Sequence, residues 1–230
     1  DSGKISVEIK DETGSIVKTM DISPVKGFNR FVWRLDRNPL PQVEYPAAQQ
    51  QQQDQRSRFF RGFGGTVFPG TYTVTLKNAT GSSSAKVNVN SDPRMEAPDA
   101  DALKKNYERA LTFGEGIESL NKSLTLIASV RESLARSELL IKKNPGFAEA
   151  VSDTYKAVSE DLAKLDELFG RRQEGLASRI NGYRAVVMAT GALSAQEDKA
   201  MKDAEAALVE AEKLVKEFVE GSWARYTEKL

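Results

Sequence analysis

The chain is 230 residues long, carries 33 basic and 33 acidic side chains, and contains neither histidine nor cysteine. Those absences exclude a Ser-His-Asp triad, an imidazole base, histidine or thiolate metal ligands, iron–sulfur clusters and disulfides, and leave carboxylates as the main catalytic groups. With 40% hydrophobic and 29% charged residues and a formal charge of zero, the composition suits one or two globular domains with no overall attraction to nucleic acid or an anionic membrane. No stretch of the sequence reaches the roughly 18 uninterrupted apolar residues of a membrane-crossing helix. The opening Asp1-Ser2-Gly3-Lys4 lacks an initiator Met and runs straight into a strand pattern, as expected of a piece of a longer parent. The missing cysteines leave the compartment open.

Period-two alternation marks the first half. Ile5, Val7 and Ile9 alternate with their neighbours, as do Phe31, Trp33 and Leu35, then Tyr72, Val74 and Leu76, then Ala85, Val87 and Val89. Five strands are predicted, at about 3–10, 15–22, 28–35, 70–77 and 83–91. Asp11-Glu12-Thr13-Gly14 and Asn78-Ala79-Thr80-Gly81 supply tight turns, with Gly14 at a positive φ. Strands joined this way pair antiparallel, hence a sandwich. Five strands fall short of the about seven of an immunoglobulin-like sandwich, so a further edge strand is expected upstream or in the insertion. Pro69-Gly70 sets a turn that delivers Tyr72 into the sheet. Trp33 shares a face with Phe31 and Leu35 and reads as core rather than as a ligand platform.

Residues 37–65 form an irregular insertion. Pro39, Pro41 and Pro46 deny it ladder hydrogen bonds, Ala47 to Gln55 includes five consecutive glutamines, and Arg56 to Gly65 mixes cations with aromatics. Much of the insertion is expected to be mobile and dispensable for folding, because prolines and a glutamine tract offer no buried face.

From Asp99 onward the period becomes helical. Asp99 or Asp101 caps a first helix that runs to about Lys143, where Asn144-Pro145-Gly146 stops it. At about 1.5 Å per residue, residues 101–142 would span roughly 63 Å. A second helix is predicted over Phe147 to about Phe169 and, after a break between Gly170 and Gly175, a third over Leu176 to about Ala189. Ser194 caps the last helix, with Glu197 at capping-box spacing. Its three-four seam of Met201, Ala204, Leu208, Ala211, Val215, Phe218 and Ser222 is the pattern of antiparallel helices packed side by side. The second and third segments together match the first in length, which suggests a three-stranded bundle with an interrupted middle strand. Gly114 and Gly116 permit close approach of a neighbour. The bundle is expected to be a docking arm, against a partner or a second copy, with these glycines at the contact; the alternative is that they let the bundle's own helices approach.

The organisation expected is α+β with two segregated domains. Residues 1–94 form an immunoglobulin- or fibronectin-III-like antiparallel β-sandwich carrying the insertion at about 37–65, and residues 99–230 form an elongated antiparallel helical bundle. Seven of the eight prolines precede residue 99, and a net charge of +3 before that point against −3 after it is too small to name a partner. Asp92-Pro93 and Pro98 make the link short and stiff.

Gly27-Phe28-Asn29-Arg30-Phe31-Val32-Trp33-Arg34-Leu35, Phe68-Pro69-Gly70-Thr71-Tyr72-Thr73-Val74 and Asp92-Pro93-Arg94 ahead of a long helix carry a resemblance. The chain resembles the C-terminal region of bacterial secreted proteins whose N-terminal part is a sortilin-like BNR-repeat β-propeller, often labelled glycosyl hydrolases. Its first half is also similar to the immunoglobulin-like domain of the flagellar hook-capping protein. The resemblance extends through Ser178-Arg179-Ile180-Asn181-Gly182-Tyr183 and departs from the family at the polyglutamine insertion, where a shorter connection is usual. It implies a secreted or periplasmic setting, with the N-terminal propeller of the same parent chain as partner and a glycan as a second candidate. It transfers no catalytic residue and no cofactor. The function expected is that of a non-catalytic accessory and interaction region providing structural docking. The alternatives are a carbohydrate-binding module and a lobe completing the active site of an attached propeller glycoside hydrolase.

The strongest ligand candidate is Arg56, Arg58 and Arg61 with Phe59, Phe60 and Phe63, since guanidinium groups beside aromatics suit phosphates, acidic sugars or exposed bases. The competing reading packs the phenylalanines over an open sandwich end. Gly62-x-Gly64-Gly65 lacks the Lys and Ser/Thr of a phosphate-binding loop. Asp36 and Glu44 are the one carboxylate pair to test against the roughly 5–10 Å separation of a glycosidase. Helix carboxylates such as Glu212 with Lys216 and Glu138 with Lys142 sit at solvated-face spacing. Asp11 to Gly14 is short of calcium ligands, and no metal site is assigned. Asn78-Ala79-Thr80 and Asn121-Lys122-Ser123 fit the glycosylation sequon. Trp223 and Tyr226 read as a cover for the bundle tip, with partner binding as the alternative.

Overall fold

The computed structural model describes residues 4–46, 64–94, 99–170, 174–189 and 191–230. The class is α+β, a four-stranded antiparallel sheet and a set of helices. Two compact units interleave along the sequence: Asp1–Leu40, Asp54–Glu108 and Val187–Leu193 form one, and Pro41–Gln53, Arg109–Val186 and Ser194–Leu230 the other.

The sheet contains β1 (Ile5–Lys10), β2 (Ile16–Ile22), β3 (Gly70–Asn78) and β4 (Gly81–Val89) in the order β2-β1-β3-β4, every pair antiparallel. Asp11 closes the first hairpin: its Oδ1 accepts from the amides of Thr13 and Ser15, both at 3.0 Å, and Gly14 takes φ 84°. Asn78 Oδ1 repeats the device between β3 and β4 with the amides of Thr80 and Gly81. A bulge between Ile9 and Lys10 leaves Val17 unpaired, and the extra residue turns inward. Val7, Ile9, Val17, Val67 and Tyr72 form the core on one face. The alternate residues put Glu8, Lys77, Thr75 and Ser84 on the opposite, polar face, where Glu8 pairs with Lys77 and Thr75 bonds Ser84.

The strand expected at 28–35 makes no ladder. Asn29 folds the chain on itself: its Oδ1 accepts from the Val25 amide at 2.8 Å, and its Nδ2 donates to the carbonyls of Val25 and Gly27. Left-handed backbone at Gly27 (φ 107°) and Leu35 (φ 57°) bounds the segment, so local side-chain bonds and two left-handed bends displace strand pairing. The alternation serves another purpose. Trp33 stands edge-on to Tyr72 at 5.4 Å and donates its Nε1–H to the Asp36 carbonyl, and one isolated bridge, Asp36 to Thr66, ties the segment down. Among the described residues there is thus one sheet, where two layers were expected.

Helix α1 (Ala100–Lys143) starts where Asp99 Oδ1 accepts from the Ala102 amide at 3.0 Å. Helix α2 (Pro145–Gly170) buries Val151, Val158, Leu162, Leu165 and Phe169. The third segment differs from expectation: α3 (Leu176–Asn181) passes into a 3₁₀ helix over Gly182–Met188. Three residues per turn stack Tyr183 and Val186 on one face, and both are fully buried. Helix α4 (Ala195–Phe218) opens with the Ser194–Glu197 capping box and buries its whole three-four seam. A π turn over Val219–Trp223 then leads into α5 (Ala224–Thr227). That wide turn keeps Ser222 and Tyr226 inward, with the Tyr226 hydroxyl on Ser137 and its ring near Tyr155 and Trp223. Tyr226 is therefore core.

Gly114 and Gly116 each face a group of their own chain. A Cβ on Gly114 would stand 3.1 and 3.2 Å from the Pro41 ring carbons, and one on Gly116 would stand 2.9 Å from Leu208 Cδ2. Glu138 pairs with Lys142 as expected, whereas Lys216 pairs with Glu220 instead of Glu212. No helix among the described residues is long and apolar enough to cross a membrane.

Candidate functional site

The candidate patch of Arg56, Arg58, Phe59, Phe60, Arg61 and Phe63 lies outside the described residues. Asp36 and Glu44 belong to different units. Asp36 bonds Lys18 in the sheet unit, while Glu44 belongs to the helical unit, where its amide donates to Asn121. Among the described residues no three acidic side chains are placed to hold a metal ion. The sequon asparagines have other work: Asn78 holds its turn, and both ends of the Asn121 carboxamide are engaged.

The best-formed polar site lies in the part of the insertion expected to offer no buried face. Residues 41–46 run as an extended strap on the helical unit and are held almost wholly by helix side chains. Tyr183 donates its hydroxyl to the Pro41 carbonyl at 2.8 Å. Asn121 Nδ2 donates to the Gln42 carbonyl at 2.7 Å, and Asn121 Oδ1 accepts from the Glu44 amide at 2.9 Å. Asn181 Oδ1 accepts from the Val43 amide at 3.0 Å, and Arg131 Nε donates to the Pro46 carbonyl at 2.9 Å. Tyr45 lies flat on Phe169, centroids 4.4 Å apart, with its hydroxyl donating to Asp166, which Arg131 also binds. Burial, and then the Asp166 carboxylate, push the Tyr45 hydroxyl well above the usual phenol range.

The strap alternates. Pro41 packs on Gly114, Val43 is buried and Tyr45 stacks on Phe169, while Glu44 between them is exposed. The signal is present in Pro41-x-Val43-x-Tyr45-Pro46. The prolines argue against it only if the partner is a ladder, which proline cannot feed; a strap read by side chains asks no N–H of Pro41 or Pro46.

The sheet unit has two further features. Arg37 is buried, its guanidinium carbon 4.5 Å from the Phe68 centroid and 4.1 Å from that of Tyr107, a cation over two rings that themselves meet edge to face. The core face of the sheet is only partly covered. Trp33, Leu35, Val74, Leu76 and Val87 line a shallow groove of about 440 Å³. Val25 and Val32 are each 68% exposed and Phe28 92%. A comparison of the chain with protein-family models, curated proteins and solved structures found no match to any of them.

Proposed function

We propose that this chain is a non-catalytic interaction region of a larger secreted or periplasmic bacterial β-propeller protein, docking through the apolar segment Val25–Leu35 and the adjoining sheet face. One observation carries the reading: Phe31, Trp33, Leu35, Val74, Leu76 and Val87 line one open groove on the core face of the sheet, and Phe31, Leu35, Leu76 and Val87 are each more than a third exposed. Contiguous apolar surface of this kind is characteristic of protein contacts and costly to leave wet. On this reading a partner layer completes the immunoglobulin-like sandwich. The Tyr72 hydroxyl, which donates to the carbonyl of Phe68 four residues upstream at 2.7 Å, supports it, because such a tyrosine corner marks one strand of those sandwiches. The helical half, an elongated antiparallel bundle in this reading, supplies structure rather than chemistry.

Val87→Asp tests the proposal. In the parent chain it is expected to lower the melting temperature several degrees more than in this chain alone, where Val87 is already 39% exposed. Equal effects in the two would set the docking face aside.

A further inference from the structure

We propose that the helical unit carries a binding site for an extended, proline-bounded peptide, and that the chain's own residues 41–46 occupy it in cis. The site does not depend on the docking reading above. Helices satisfy their own backbone and present no free edge to an extended segment, so the strap's carbonyls and amides must be met by side chains. Asn121 does this in a specific way. In a parallel ladder, one residue donates to the carbonyl before its opposite number and accepts from the amide after it. Asn121 makes that pair of bonds around Val43, to the Gln42 carbonyl and from the Glu44 amide. Its carboxamide stands in for one residue of a neighbouring strand.

Successive amides of an extended chain point to opposite edges, so the Val43 amide faces away from Asn121; there Asn181 accepts it. Both edges of the strap are read through backbone atoms, which any sequence supplies. Selectivity comes from the inward side chains. Gly114 leaves room for the Pro41 ring, Val43 is buried, and Phe169 with Asp166 takes a tyrosine by stacking and hydroxyl donation. The ligand class is therefore an extended Pro-x-Val-x-Tyr-Pro segment. Main-chain bonds with alternating side-chain pockets are how peptide-recognition sites work.

The test uses a fluorescent synthetic peptide of residues 39–46, the intact chain, and a variant whose residues 41–46 are replaced by Gly and Ser. The replaced variant is expected to bind the peptide one to one, at least about tenfold tighter than the intact chain, whose strap competes at high effective concentration. Adding Asn121→Ala to that variant should weaken binding roughly tenfold or more, for two lost hydrogen bonds. A folded variant that shows no saturable binding overturns the proposal. If the variant does not fold, native-state hydrogen exchange on the intact chain decides. Val43 and Glu44 amides that open below the global transition support a separable ligand. Amides that open only with the α1 core show that the strap is part of the fold, and the proposal fails.

Discussion

Replacing Asn121 by Ala isolates the strap's principal anchor. Two hydrogen bonds are lost, from Nδ2 to the Gln42 carbonyl and from the Glu44 amide to Oδ1. At about 1 kcal/mol net per bond the loss is about 2 kcal/mol. Alanine returns up to about 0.7 kcal/mol through better helix propensity within α1. Glu44 is exposed, so water can re-satisfy its amide and no further desolvation cost arises. The net is about 1.5 kcal/mol, which for a domain of this size shifts the melting temperature by roughly 3–6 °C. Thermal melts followed by circular dichroism at the helix band measure the shift. Hydrogen exchange should localise it, with Val43 and Glu44 losing protection and the α1 core amides keeping theirs. An unchanged or raised melting temperature with unchanged strap protection would show that these two bonds hold nothing, because propensity alone predicts a rise.

Gly114→Ala and Gly116→Ala should separate. The added methyl at 114 meets a Pro41 ring that has no rotamer to turn, and is expected to loosen the strap, read as faster exchange at Val43; at 116 it meets the end of the flexible Leu208 side chain, and a helix gain of about 1 kcal/mol is expected to leave the melt equal or higher. The Arg179 guanidinium holds the Asp203 carboxyl below its ordinary value, so this pair stabilises above an unfolded pKa of about 3.9 and its contribution fades as the pH falls through and below that value. Arg179→Gln should flatten the acid limb of a melting-temperature profile, and an unaltered limb would show that the pair contributes nothing. Replacing Ala47 to Gln55 by a short Gly/Ser link should leave the melting temperature nearly unchanged, whereas extending the replacement back through Pro41 should lower it.

Most elements are legible in the sequence because their signals are local. The Asp11 and Asn78 turns, the Asp99 cap, the Ser194–Glu197 box and the seam from Met201 to Ser222 depend on residues a few positions apart, and each occurs as written in the sequence. The departures share a cause. Phe31, Trp33 and Leu35 alternate like a strand, but a strand requires a partner, and the Asn29 side chain with the left-handed Leu35 turns that segment into a partial cover for the sheet. The strap hides for the complementary reason. Pro41 and Pro46 argue against a sheet, while the side chains that hold the strap, those of Asn121, Arg131, Asp166, Asn181 and Tyr183, lie 77 to 142 residues further along the chain, beyond the reach of any local pattern. The π turn at Val219–Trp223 has no local signal beyond Gly221, and the buried Tyr226 that follows it depends on Ser137 of a different helix.

Hydroxyl-radical footprinting of Phe28, Phe31 and Val87 puts the proposed docking face around Val25–Leu35 to its sharpest test. These side chains are expected to label readily in this chain alone, where all three are exposed, and to be protected at least severalfold within the proposed larger parent. Equal labelling in the two would mean that no partner layer covers this face.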